Sequence, residues 1–318
     1  MKLPPSYSVS SSSASEQLVC KLLGNGMPSF LRGSGASLVV LTVHVNDIMI
    51  TGADTFEISV VKSFLHDQFK IKDLGSLNYF LGIKVFHSDS RILLHQRKFV
   101  LDLLAEFHCS DVSHVLCPLE LSAKLKAHEA ALHVLRYLKG TFDCGIFFNN
   151  SPDLSLTAFC DSDWAACADT RRFVSGYCVF LGGSLIVWKS KKQTVVSMSS
   201  AEAEYRVMSK VVAELAWLCR LLSNLGLFGS SLAPLFCDSQ TAIHISKNPV
   251  FRERMKHIEL DCHLVRAKLA EGLIYLLHTF SSSQLADIFT KTLSGAAHHG
   301  FLPKLGVLAP FNLRGEGC

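Results

Sequence analysis

The chain has 318 residues, 49% of them hydrophobic, with a formal net charge of +4 and eleven cysteines. That is enough for two modest domains with real cores, and its mildly basic balance permits a polyanionic partner without demanding one. The cysteines lack a CxxC pair or regular spacing, which argues against a zinc site or disulfide framework and for a reducing compartment. Met1–Pro5 carries no apolar signal core, and the stretch Ala36–Val45 is too short to span a bilayer. The expectation is a soluble intracellular protein, cytoplasmic or nuclear, with no membrane partner.

In chain order, the serine-rich residues Ser6–Ser15 read as a loop or arm. Ser37–Gly52 predicts two apolar strands joined at Asn46-Asp47, a favourable hairpin turn pair. Phe56–Phe69 has a helical pattern. Leu77–Phe86 and Arg91–His95 predict a strand pair, followed by helices over Lys98–Phe107 and His128–Lys139, the second ending at Gly140. The turn cluster Asn149–Asp153 marks the expected domain boundary, dividing residues 1–150 from 154–307.

The second half has a clearer rhythm. Strands are expected at Leu156–Asp161, Val174–Leu181 and Leu185–Lys189, with Thr194–Ser197 extending the sheet. A long helix follows from Ser200 to about Leu225. Ser199-Ser200-Ala201-Glu202 is a capping box, and the apolar face runs Met208, Val211, Leu215, Leu218, Leu222. Extended backwards, that face reaches Glu204, whereas Glu202 points away and caps. Leu235–Cys237, a helix from Gln240, a helix from Pro249, the strand Gly272–Phe280 and a final helix Ser283–Thr292 complete a mixed α/β domain.

Four acids sit where folding alone would not put a charge. Asp161 and Asp238 end apolar strand-like runs, Glu204 lies on the apolar side of its helix, and Asp287 opens another helix. Buried acids need partners, and several converging on the ends of core elements point to divalent cations. Magnesium prefers oxygen ligands, and two such ions can activate water and stabilise the leaving oxygen of a phosphodiester. Asp163, two residues along the same strand face, is a rival ligand for Asp161. Asp238 could instead cap the following helix, and Asp287 could be a first-turn acid favoured by the helix dipole.

Five ordered motifs then carry a resemblance: Cys160–Ala165, Ser199–Tyr205, Cys237–Gln240, Lys256–His263 and Gln284–Lys291. From about Leu154 to Val307 the chain resembles the ribonuclease H domain of copia-type LTR retrotransposon polyproteins. The resemblance implies a ribonuclease H-like mixed five-stranded sheet with flanking helices. It also implies an endonuclease that uses two Mg²⁺ ions, for which Mn²⁺ can substitute, and cuts the RNA strand of an RNA–DNA hybrid. The family's catalytic and metal-binding tetrad carries over onto Asp161, Glu204, Asp238 and Asp287. Where many copia copies have a histidine before the last aspartate, this chain has Ser283; His278 is an upstream substitute.

Substrate contact would come from Arg171 and Arg172 before the hairpin, Lys189, Lys191 and Lys192 after it, and the cluster Arg252, Arg254 and Lys256. Such residues bind phosphates without sequence preference. His257 and His263 read as helix-packing residues.

Residues 1–139 resemble pieces of the copia-type reverse transcriptase, an incomplete α+β palm and thumb remnant. Phe69–Gly75 and Tyr79–Ile83 match well, while a segment expected soon after Leu22 and another near Lys126 are missing. The polymerase hairpin that normally reads Tyr-Val-Asp-Asp is His44-Val45-Asn46-Asp47, and the first catalytic aspartate motif lies off the chain. The missing motif and the degenerate pair Asn46 and Asp47 together imply loss of DNA synthesis, and the deleted core strands imply a loosely packed first half.

Overall fold

The computed structural model describes residues 19–22, 28–45, 47–88, 91–119, 127–167, 170–227, 232–248 and 258–309. They form two compact units, residues 1–77 with 221–228, and residues 78–220 with 229–318.

The first unit is an antiparallel meander, β1 (Val19–Leu22), β2 (Pro28–Arg32), β3 (Val39–His44) and β4 (Asp47–Gly52), followed by helix α1 (Thr55–Phe69). Asp54 starts the helix by accepting hydrogen bonds from the Phe56 and Glu57 amides at 2.8 and 3.3 Å. Val39 and Leu41 of β3 pack against Val61 and Leu65 of α1. The hairpin pairs His44 with Asp47, so the turn opens at Val45, one position earlier than expected, and Asp47 already belongs to β4. Asn46 lies outside the described residues, and Asp47 is exposed. Phe56, Phe69 and Leu74 stay exposed, in keeping with loose packing.

The second unit begins with β5 (Tyr79–Phe80), β6 (Ile83–His87), β7 (Arg91–His95), α2 (Arg97–Glu106), α3 (Ala127–Gly140) and β8 (Gly145–Asn149). The strand expected over Leu77–Phe86 is broken because Leu81 and Gly82 turn the chain through positive φ, 51° and 80°.

Next come β9 (Leu156–Asp163), β10 (Val174–Leu181), β11 (Ser184–Lys192), α4 (Ser200–Asn224), β12 (Ala233–Cys237), α5 (Gln240–Lys247), α6 (Glu259–Ala270) and β13 (Ile274–His278). They build a mixed five-stranded sheet in the order β11-β10-β9-β12-β13. β10 runs antiparallel to β9 and β11, whereas β12 is parallel to β9 and β13. Parallel neighbours need long crossovers, which α4 provides between the hairpin and β12, and α5 and α6 between β12 and β13. This is the ribonuclease H-like sheet expected from the sequence.

After β13 the chain makes 3₁₀ turns at Ser281–Ser283 and Leu285–Phe289, then α7 (Gly295–Phe301), a 3₁₀ turn at Pro303–Leu305 and β14 (Val307–Leu308). β14 joins β8, giving a second sheet in the order β14-β8-β7-β6-β5. The sequence-level division near residue 150 is therefore one of resemblance. In space, residues on both sides of it share a sheet.

Three other expectations need correction. Thr194–Ser197 is not a strand, because the chain leaves the sheet at Gln193, whose amide donates to Phe173 O at 2.9 Å. Val195 and Val196 then face solvent. The expected helix Ser283–Thr292 is replaced by short 3₁₀ turns, since the side chain of Gln284 accepts from the Ala286 amide and bends the backbone there. The helix expected from Pro249, and His257, lie outside the described residues.

Candidate metal centre

β9 and β12 run parallel with Cys160 beside Cys237, so the next residues, Asp161 and Asp238, emerge together at one end of the sheet. α4 supplies Glu204, whose Oε1 accepts the Ser162 amide at 3.0 Å while the Cys237 thiol approaches Oε2 at 3.9 Å. The face Met208, Val211, Leu215, Leu218 and Leu222 is buried as expected, and Glu204 continues it. Glu202 does cap, accepting the Met198 amide at 2.8 Å while Ser199 accepts the Glu202 amide. It does not point to solvent, however; it is buried beneath Arg206, whose guanidinium donates to it at 2.9 Å.

The Leu285–Phe289 turn brings Asp287. Gln284, fully buried, donates to the Cys160 carbonyl at 2.9 Å and pins the turn to β9. Gly176, paired with Asp161 across β10, makes room for it. A Cβ there would lie 2.6 Å from Thr290 Cγ2 and 2.8 Å from Phe289 Cβ. Gly176→Ala is therefore expected to lift the turn away from Asp161. Urea denaturation should register a loss of about 1–3 kcal/mol, the usual cost of overpacking, and cation binding should weaken in parallel.

Carboxylate oxygens of Asp161, Asp238 and Asp287 all lie within 4.8 Å of one another, and Asp238 also groups with Glu204 and Cys237. Asp161, Glu204 and Asp287 are buried, and Asp238 is half-buried. Asp163 joins neither group. Asp238 does not cap α5, because the cap is Ser239, whose hydroxyl accepts the Ala242 amide at 3.2 Å. Lys291 donates to Asp287 at 2.8 Å and Asp161 at 3.1 Å and lies 3.9 Å from Asp238. Thr290 donates its hydroxyl to the second oxygen of Asp161.

The electrostatics follow from burying like charges. Burial pushes Glu204 up to about 10, with Cys237, Asp161 and Asp238 adding to the rise. Burial raises Asp287 to about 6 and also raises Asp238, in each case against the charge of Lys291. Desolvation alone would lower the Lys291 ammonium, but its hydrogen bond to Asp287 and the charge of Asp161 outweigh this and raise it. The all-oxygen group suits a hard divalent cation, so the residues present fit the metal that the family resemblance implies.

Lys291, Thr290 and Gln284 contact the acid cluster or its strand, and the sequence pattern alone gives none of them a place there. Lys291 was visible as an acid-to-lysine pair at i, i+4, a common helix-surface signal with no functional meaning by itself. His278 pairs with Cys237 across β12 and β13, one residue from Asp238. Ser283 lies in the preceding 3₁₀ turn.

The basic residues divide. Lys192 shares the sheet face of Asp161, since Ser190 and Lys192 lie level with Gly176 and Val174, which pair with Asp161 and Asp163. Two strand spacings, about 10 Å, separate these positions. Lys189 and Lys191 fall on the opposite face, near Lys210 of α4, whose ammonium is depressed chiefly by burial, with the charges of Lys191, Lys189 and Arg206 adding to the fall against the pull of Asp261. Arg171 and Arg172 are exposed before β10, and Arg252, Arg254 and Lys256 lie outside the described residues. His263 is exposed on α6, so it does not pack as expected. Among the described residues the nine cysteines form no disulfide, and Cys160, Cys178 and Cys237 are buried as small apolar groups. A cavity of about 540 Å³ opens elsewhere in the second unit, lined by Lys84, Phe86, Arg91 and Arg97, and none of the four carboxylates borders it. Among the described residues no helix is long and apolar enough to cross a membrane.

The sheet order and the clustered acids define a ribonuclease H-like mixed α/β protein. Residues 20–121 match the family model described as reverse transcriptase (RNA-dependent DNA polymerase). The chain is 35% identical to the retrovirus-related Pol polyprotein from transposon RE2 of Arabidopsis thaliana, over 88% of this chain, and it spans 22% of that relative's length. It is 33% identical to an uncharacterised mitochondrial protein of the same plant, over 56% of this chain and 93% of that protein. The chain belongs to the copia-type retrotransposon Pol family. Among solved structures, an RNase H domain from Mycobacterium tuberculosis is 12% identical and covers 48% of this chain and 98% of that one, with a TM-score of 0.32. The fold assignment rests on the sheet order and strand directions.

Proposed function

We propose that residues 154–307 form a Mg²⁺-dependent ribonuclease H that cuts the RNA strand of RNA–DNA hybrids, with Mn²⁺ able to substitute. The observation that carries this is the convergence of Asp161, Asp238 and Asp287 within 4.8 Å, with Glu204 tied to the same group through Asp238. Two cations held by these carboxylates would supply an activated water and offset charge on the leaving oxygen. The chain's own part is positioning. β9 and β12 present two acids at fixed spacing, Gln284 and Gly176 set the turn that carries the third, and Glu204 would hold a cation as its carboxylate. Lys192, on the face of Asp161, and Arg171 and Arg172 before β10 suit the phosphates of an A-form hybrid. Lys189 and Lys191 would extend this contact along the α4 side.

Residues 1–150 are, on this reading, a polymerase remnant without DNA synthesis, because a neutral Asn46 beside Asp47 cannot replace two metal-binding aspartates. An intracellular setting, in cytoplasm or nucleus, is the address that fits free thiols and a nucleic-acid substrate.

The test is a labelled RNA–DNA hybrid incubated with the full chain across Mg²⁺ and Mn²⁺ titrations, with Asp238→Asn as control. Cleavage by the parent and none by the variant is expected. An intact hybrid throughout would sink the enzymatic reading. Hybrid binding without cleavage, indifferent to Asp238→Asn, would favour a non-catalytic binding module, for which the absence of the usual histidine at Ser283 is the supporting observation.

A further inference from the structure

The three carboxylates that converge for a cation are the same three that surround the Lys291 ammonium, at 2.8, 3.1 and 3.9 Å. An ammonium and a divalent cation cannot share that point. Lysine carries a compact point charge on a flexible four-carbon stem. A third of the Lys291 side chain is exposed, so it has a path to solvent, whereas Asp161 and Asp287 are almost fully enclosed and cannot leave. The second oxygen of Asp161 is held by the Thr290 hydroxyl, a neutral group that rotates without carrying charge away.

We infer that Lys291 is a displaceable counter-ion of the carboxylate cluster. It holds Asp161, Asp238 and Asp287 together when no metal is bound, and swings out when a hard divalent cation takes its place. Resting on the metal-dependent reading above, this makes Lys291 a positioning residue that sets the cation affinity of the site. A purely structural ion pair would behave differently. It would stay in place, and its loss would loosen the cluster and weaken metal binding.

The experiment uses the full chain and Mn²⁺ alone, without nucleic acid, followed by titration calorimetry on the parent and on Lys291→Met. The variant is expected to bind Mn²⁺ at least about tenfold more tightly, the effect of removing one like charge a few ångströms from the ion. Equal or weaker binding by Lys291→Met would overturn the inference while leaving the metal reading intact. No Mn²⁺ binding by either protein would remove both. A second measurement needs no variant: acylation of Lys291 in the parent, followed by mass spectrometry. Its rate should rise as Mn²⁺ saturates the site, because the amine is released to solvent. An unchanged rate at saturating Mn²⁺ would overturn the inference as well.

Discussion

Asp161→Asn is expected to lower the rate of hybrid cleavage by on the order of a thousandfold, with the fold intact. Asp161 is the most enclosed of the four acids and takes part in the densest set of contacts, with Lys291, Thr290 and the grouped oxygens of Asp238 and Asp287. An amide keeps the shape and can still accept the Thr290 hydroxyl, but it removes the negative charge that a cation needs. The structural side of the change is small for the same reason. Asparagine relieves repulsion among the acids, while Lys291 keeps its closer partner, Asp287. Single-turnover cleavage measured beside thermal melting separates the two effects. Full activity in a well-folded Asp161→Asn protein would exclude Asp161 as a ligand and return the role to Asp163.

The second large effect concerns stability and runs the other way. Glu204 has its carboxyl raised by burial from 4.5 to about 10. Above pH 4.5 the unfolded chain loses this proton while the folded chain keeps it. The stabilising contribution is therefore complete below about pH 4.5 and is lost progressively as pH rises towards 10. Glu204→Gln has no proton to lose. In metal-free buffer it should be more stable than the parent by on the order of 3 kcal/mol at pH 7, with little difference at pH 5. Urea denaturation at the two pH values, with chelator present, measures this directly. The same variant should bind Mn²⁺ more weakly, so stability is gained where function is lost. A Glu204→Gln protein no more stable than the parent at pH 8 would show that burial does not hold this proton.

The carboxylates could be found in the sequence because each interrupts an otherwise apolar pattern, and the pattern itself comes from local periodicity. β10 agrees with its expected bounds, and α4 ends at Asn224, one residue before the expected Leu225. Both are long; α4 is strongly periodic, and β10 is a continuous buried run closed by a glycine turn. Local pattern predicts a helix where the turn delivers Asp287, because the shape of that turn is set at long range, by Gln284 bonding to Cys160 across 124 positions. Thr194–Ser197 has the composition of a strand but no partner to pair with. Glu202 was assigned to capping from spacing alone, and spacing could not reveal that Arg206 and the protein interior enclose it. Lys291 was in plain view, yet its importance comes only from three acids gathered from β9, the end of β12 and a turn more than 120 positions from β9.

The pairing of β14 with β8 has a practical side for anyone preparing the ribonuclease H-like sheet by itself. Val307 and Leu308 hydrogen-bond with Ile146 and Gly145, the Phe147 amide donates to Gly306 O at 2.9 Å, and the Asn149 amide donates to Ser184 Oγ at 3.0 Å. Further up the chain, Tyr137 meets His298 at 2.9 Å. A recombinant fragment trimmed to residue 154 would strip these partners away and leave a raw apolar margin around Phe301 and Leu305. Starting near Asn78 keeps that seam closed, and the difference should show as soluble yield before any nuclease assay is run.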